Sequence, residues 1–108
     1  MRSGTRMRIE ILPSAKERLL EIWSYTAAHW GSAQADKYLR ELERAMQDAA
    51  TQPGRWRKIR GGRFPLIRFI RHAEHYIFFR ELPDGCIGVI SVLHAAMDVP
   101  SRLEEDAK

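Results

Sequence analysis

Polar and apolar positions change period more than once along the chain. Met7, Ile9 and Ile11 alternate with Arg6, Arg8 and Glu10, a period of two that predicts a half-buried strand. Pro13 ends it. From there the spacing lengthens to three and four. Ala15, Leu19, Ile22 and Thr26 form one stripe, and Leu20, Trp23, Ala27 and Trp30 a second beside it. Ser14 and Glu17 have the spacing of a capping box, and Gly31 suits the position just after a helix. Ser32 is placed to cap a second helix, in which Ala35, Tyr38, Leu42, Ala45, Met46 and Ala49 recur every three or four residues before Pro53-Gly54. The pattern predicts two helices of about 17 and 19 residues, joined by a Gly-Ser link into an antiparallel hairpin.

Past Gly54 the helical period is gone. Residues 55–62 (RWRKIRGG) are basic and turn-like, with a short strand expected around Lys58–Arg60. Phe64–Arg71 reads as a strand whose start Pro65 confines to an edge. Residues 72–75 read as a connector and His75–Leu82 as an aromatic strand. Pro83-Asp84-Gly85 is a turn, since Pro presets φ, Asp bonds locally and Gly accepts positive φ. Cys86–His94 is apolar on both faces, as a central strand would be. Ser101 and Glu104 repeat the capping-box spacing and open a short acidic terminal helix. Strands joined by short turns run antiparallel, and the helical hairpin must cover one face of their sheet. The expected fold is therefore α+β: an N-terminal strand, an αα-hairpin on a mostly antiparallel three- to four-stranded sheet, and a short C-terminal helix. One domain over residues 7–108 is expected, with residues 1–6 a flexible extension.

The chain has 108 residues and a formal net charge of +4, but the excess is unevenly placed. Residues 1–54 carry 8 Lys/Arg and 7 Asp/Glu, residues 55–80 carry 8 and 1, and residues 81–108 carry 2 and 6. The positive field comes from the middle segment, and 14 of the 18 cations are Arg. Arginine forks grip carboxylates or phosphates at two points, so the bias favours an acidic peptide or an anionic polymer. No apolar stretch approaches the ~20 residues of a membrane span. No basic start leads into an apolar segment of the secretory kind. The lone Cys86 offers no disulfide framework and suits a reducing cytoplasm.

The order of elements, with particular residues on them, resembles the RelE/ParE superfamily of bacterial type II toxins, and its ParE side most. Pro13-Ser14-Ala15 leading to Leu19, Ile22-Trp23 and Tyr25 is similar to that family's opening "SPxA…DLxxIWxY". Trp30-Gly31 with Ala35 and Tyr38 resembles its interhelical "WG…A…Y", and Pro53-Gly54-Arg55 its loop after the second helix. His75-x-Ile77-Phe78-Phe79-Arg80 resembles "HxIFYR", and Val92-Leu93-His94-x-x-Met97-Asp98 resembles "RVLHxxMD". The chain departs from the pattern at Arg18, where an acidic residue is usual, at Phe79, which lacks the tyrosine hydroxyl, and at Ser91, where Arg usually precedes "VLH".

The resemblance implies a toxin that inhibits DNA gyrase by binding and is neutralised by a ParD-like antitoxin. Two alternatives stay open: a RelE-like, ribosome-dependent mRNA interferase, and a non-toxic member of the family that only binds protein. Cleavage of RNA needs a base for the 2′-hydroxyl, cations for the phosphorane and an acid for the leaving oxygen. His72, His75 and His94 are candidates for acid and base, with Arg63, Arg68, Arg71 and Arg80 as clamps. After His94, however, the chain offers no Tyr or His and no Lys before Lys108. No catalytic residue is assigned, and the expectation is a binding protein rather than an enzyme. His72 and His75 flank Glu74 but are no metal-ligand set, and no phosphate-binding glycine loop is present, so no metal or cofactor is expected.

Ile22, Trp23, Ala27, Trp30 and Leu39 exceed what one thin sheet buries, so an amphipathic partner segment is expected to complete the core. The antitoxin surface is accordingly read as Leu20, Trp23, Ala27, Trp30 and Leu39, with Arg68 and Arg71 receiving acidic side chains. Arg63, Arg80, His94, Met97 and Asp98, with the terminal helix, are read as the surface toward the target.

Overall fold

The computed structural model describes residues 8–108; the expected extension over residues 1–6, and Met7 of the expected first strand, lie outside the described residues. Strand β1 (Ile9–Ile11) leads through Leu12 into helix α1 (Pro13–Trp30), and Gly31 separates α1 from α2 (Ser32–Ala50). A short 3₁₀ turn, Pro53–Arg55, precedes β2 (Arg57–Lys58), β3 (Arg68–His72), β4 (His75–Glu81), β5 (Ile87–His94) and α3 (Val99–Asp106). The strands form one sheet in the order β1-β5-β4-β3-β2. β1 runs parallel to β5, and every other pairing is antiparallel. This is the α+β arrangement expected, although the sheet has five strands rather than three or four, with β4 at its centre and β5 between β4 and β1.

Several local details differ from the sequence reading. Leu12, not Ser14, occupies the N-cap of α1, and no side chain caps it. Pro13 starts the helix, where a missing amide costs nothing, and Ser14 turns its hydroxyl to the Ile90 carbonyl at 2.7 Å. Ser32 likewise lies inside α2, with Gly31 at φ +92° before it. In α3 the N-cap is Asp98, and Ser101 donates to its carboxylate at 2.9 Å. β2 sits at Arg57–Lys58 rather than around Lys58–Arg60. β3 begins at Arg68, because Phe64–Ile67 forms a turn closed by the Ile67 amide on the Phe64 carbonyl. The connector shrinks to Ala73-Glu74, and His72 and His75 pair across it.

The sheet has an apolar core on each side. Ile77, Phe79, Val89 and Val92 face Leu19, Leu42 and Met46 of the helical hairpin. Phe78, Ile90 and Leu93 face the other way, against Leu103 of α3. Val89 and Val92 reach the same face because the register slips: Phe78 pairs with Ser91 while Phe79 pairs with Val89. Ile90 is thus the extra residue of a bulge. Nearby, a Cβ at Gly88 would stand 2.9 Å from Leu82 Cδ2, so a larger residue there would have to displace the Leu82 side chain.

Candidate functional site: an open groove beside α1

A groove of about 950 Å³ opens between α1, the start of α2 and the end of the sheet where β4 begins and β5 ends. Helical spacing puts Arg18, Ile22, Tyr25 and Trp30 along one wall, and Tyr38 enters from α2. The two-residue β3–β4 turn contributes Glu74 and sets His75 beside His94 of the neighbouring strand. Met97 closes the rim. Three large apolar side chains bordering the groove are exposed in the isolated chain: Tyr25 (65%), Trp30 (72%) and Met97 (37%).

The floor is polar and internally bonded. The Tyr38 hydroxyl lies 2.6 Å from His75 Nδ1, and the His75 and His94 rings meet edge to face at 5.2 Å. Burial, seconded by the neighbouring His94, holds the His75 pKa down to about 4. At neutral pH its imidazole is therefore uncharged, far from the value of a base poised to work there. Burial likewise pushes the Tyr38 phenol up; a hydrogen bond to the Glu74 backbone opposes the rise, and the charges of Glu41 and Glu74 add to it. His94 Nδ1 accepts the Ala96 amide at 2.9 Å, which places the ring proton on Nε2 and lets the histidine cap the turn after β5. The arrangement is a hydrogen-bonded polar floor under an aromatic rim, and it can receive an apolar or aromatic segment. Among the described residues no cluster of His, Cys, Asp and Glu is arranged to hold a metal ion.

At one end of the groove Arg18 is fixed by α3. Its Nε donates to Asp106 Oδ2 at 2.8 Å and its Nη2 to Oδ1 at 3.2 Å. Those hydrogen bonds raise the guanidinium pKa further against the cost of burial. Ser91, fully buried, donates to the same Oδ2 at 2.6 Å.

The structure divides the residues expected to act. Trp30, from the antitoxin set, and His94 and Met97, from the target set, meet in the groove. Trp23 is half-buried between the helices, its Nε1 donating to Asp36 at 2.8 Å. Ala27 is half-buried, and Ile22 and Leu39 pack on the core. Leu20 is 68% exposed and lies outside the groove lining. The hairpin itself covers much of the stripe expected to meet a partner, and Leu20 and Trp30 stay open. Arg68 is tied to the Pro65 and Ile67 carbonyls at the sheet margin. Arg71 and Arg80 stand on the sheet face opposite α1 and α2, as their pairing with Tyr76 and Gly88 requires. Arg63 is paired with Glu104 of α3. Asp98 accepts from Ser101 at the start of α3. The sequence reading does not single out Tyr25 and Tyr38 as site residues, although both belong to the aromatic signals of the helical segment. The sequence offers His75 only as an acid or base, whereas in the fold it bonds Tyr38.

The same combination of helical hairpin, mixed sheet and short terminal helix occurs in toxins of the RelE/ParE type. A structure of the chromosomal ParDE TA system from P. aeruginosa superposes with a TM-score of 0.68 over 85% of this chain and 98% of that one, at 14% identity. The toxin-antitoxin complex RelBE2 from Mycobacterium tuberculosis gives 0.62 over 83% and 99%, at 13% identity. At such low identity these likenesses concern the fold. In sequence, Toxin ParE1 of Mycobacterium tuberculosis is 40% identical over 96 residues, 89% of this chain and 97% of that protein. Toxin ParE of Escherichia coli is 31% identical over 94 residues, 87% and 90% of the two chains. Residues 9–99 match the family model described as ParE toxin of type II toxin-antitoxin system, parDE. The chain belongs to this family of ParE toxins.

Proposed function

We propose that this ParE-type toxin acts in the cytoplasm by binding DNA gyrase and arresting replication, without breaking a bond itself. We further propose that a ParD-like antitoxin neutralises it by laying an amphipathic segment into the groove beside α1. The gyrase target rests on membership of the ParE family and is an argument by analogy. The groove supports the docking reading on its own chemistry. Its rim of Tyr25, Trp30 and Met97 is the kind of exposed aromatic and thioether surface that partner helices bury. The observation that carries the non-enzymatic reading is the state of its floor, where His75 is neutral and tied to Tyr38. An RNA-cleaving site would instead need a base tuned near neutrality beside cations.

The test is a supercoiling assay with purified toxin. Inhibition that rises with toxin concentration and is reversed by the cognate antitoxin is the expected result. Unimpaired gyrase at large toxin excess would remove the target assignment.

A further inference from the structure

The sheet face turned away from α1 and α2 is built differently from the groove. Strand alternation places Arg57 of β2, Phe69 and Arg71 of β3, and Tyr76 and Arg80 of β4 on it. The Arg57 guanidinium lies over the Phe69 ring at 5.7 Å and that of Arg71 over Tyr76 at 5.4 Å. Phe69 and Tyr76 stand edge to face at 5.5 Å. Both rings are half-buried and the three arginines are exposed. The acids bordering this face from α3 are already matched: Glu104 by Arg63, and Glu105 and Asp106 by Arg18. Glu74, 3.9 Å from Arg71, is the one acid in the segment 55–80. The field over β2–β4 is therefore positive.

The geometry points to a binding surface for single-stranded DNA, distinct from the groove and independent of the gyrase reading. Aromatic rings and guanidinium planes give bases a surface to stack on, while arginines at the margins meet the phosphates. A rigid duplex presents its bases edge-on inside the helix and cannot reach the rings. DNA is favoured over RNA because the one small hydroxyl among the strand residues on this face, Ser91, is fully buried and donates to Asp106, which leaves no exposed Ser, Thr, Asn or Gln on these strands' face to reward a ribose 2′-hydroxyl.

The test is fluorescence anisotropy of labelled dT12 with the purified full chain at several salt concentrations. With three phosphates engaged by Arg57, Arg71 and Arg80, affinity should fall about 20-fold between 50 and 200 mM salt. Arg57→Ala and Arg71→Ala should each lower the salt slope by about 0.7. Tyr76→Leu should weaken binding about tenfold, and Tyr76→Phe should retain it. Arg40→Ala, on the exposed side of α2, should change nothing. The proposal is overturned if dT12 does not bind at 50 mM salt, if Arg40→Ala weakens binding as much as Arg57→Ala, or if U12 binds more tightly than dT12. It is equally overturned if polyglutamate competes as well as unlabelled dT12, or if a 12-base-pair duplex does.

Discussion

Ser91 donates its hydroxyl to Asp106 Oδ2 at 2.6 Å, the oxygen that also takes Arg18 Nε at 2.8 Å. Arg18 and Ser91 are two of the positions where the chain departs from the pattern of the family it resembles. They meet at one carboxylate. An acidic residue in α1 with an arginine on β5 is replaced here by an arginine in α1, a small hydroxyl on β5 and a carboxylate brought by α3. The buried charge of Arg18 keeps a partner, and α3 is thereby tied to both α1 and β5.

Removing that carboxylate should be costly. Asp106→Ala leaves the buried Ser91 hydroxyl without its acceptor and strips the Arg18 guanidinium, with only 11% of its side chain exposed, of its two-point partner, so that only the exposed Glu21 and Glu105 remain to it. A loss of about 2–4 kcal/mol is expected, read as a lower midpoint in urea denaturation with an unchanged slope. Asp106→Asn, which keeps an acceptor, should lose less.

The two departures should also be coupled. Ser91→Arg alone forces a second guanidinium into a fully buried position beside Arg18 and should cost more than about 2 kcal/mol. Adding Arg18→Asp should recover at least about 1 kcal/mol of it. A double-mutant cycle with no coupling would show that the two sites are independent.

Stability should fall with acid through the His75 site. Its folded pKa, about 4, lies below its ordinary 6.5. Between those values the unfolded chain binds more protons than the folded one, so stability rises with pH across this window. Below about pH 6.5 the protein should therefore weaken progressively, by an amount of the order of 2 kcal/mol from this group by pH 4. Glu74 opposes the effect, while His94 and His72 reinforce it. His75→Gln should flatten this part of the profile in denaturation experiments run from pH 4 to 7.

Trp30 separates stability from recognition. Because 72% of it is exposed, Trp30→Ala should change folding stability by no more than about 0.5 kcal/mol. If the groove is the antitoxin's seat, the same substitution should weaken antitoxin binding at least about tenfold, measured by calorimetry. Unchanged affinity would move the docking surface elsewhere.

Much of this fold was legible because each helix repeats every three or four residues and β5 is apolar on both faces apart from Ser91 and its final His94. The parallel partnership of β1 with β5 was not, since it joins segments at opposite ends of the chain and depends on how the hairpin packs. The bulge at Ile90 was hidden too, because an apolar run looks the same with or without a register slip. Ser14 and Ser101 carried the spacing of capping boxes, but their hydroxyls found the Ile90 carbonyl and the Asp98 carboxylate instead. At the site, the exposed Trp30 could be anticipated from an apolar stripe too wide for one seam. The split of the arginines between the two sheet faces follows only from strand register. Arg71 and Arg80 turn away from the helices because Ile70, Ile77 and Phe79 turn toward them.

The central claim is that this toxin stops DNA synthesis by binding rather than by cutting RNA. Its most direct test is to induce the chain alone in growing bacteria and follow incorporation of labelled thymidine, uridine and methionine over the first minutes. The account predicts that thymidine incorporation stops first, with translation continuing. An early halt in methionine incorporation, or growth that continues unchanged, would contradict it.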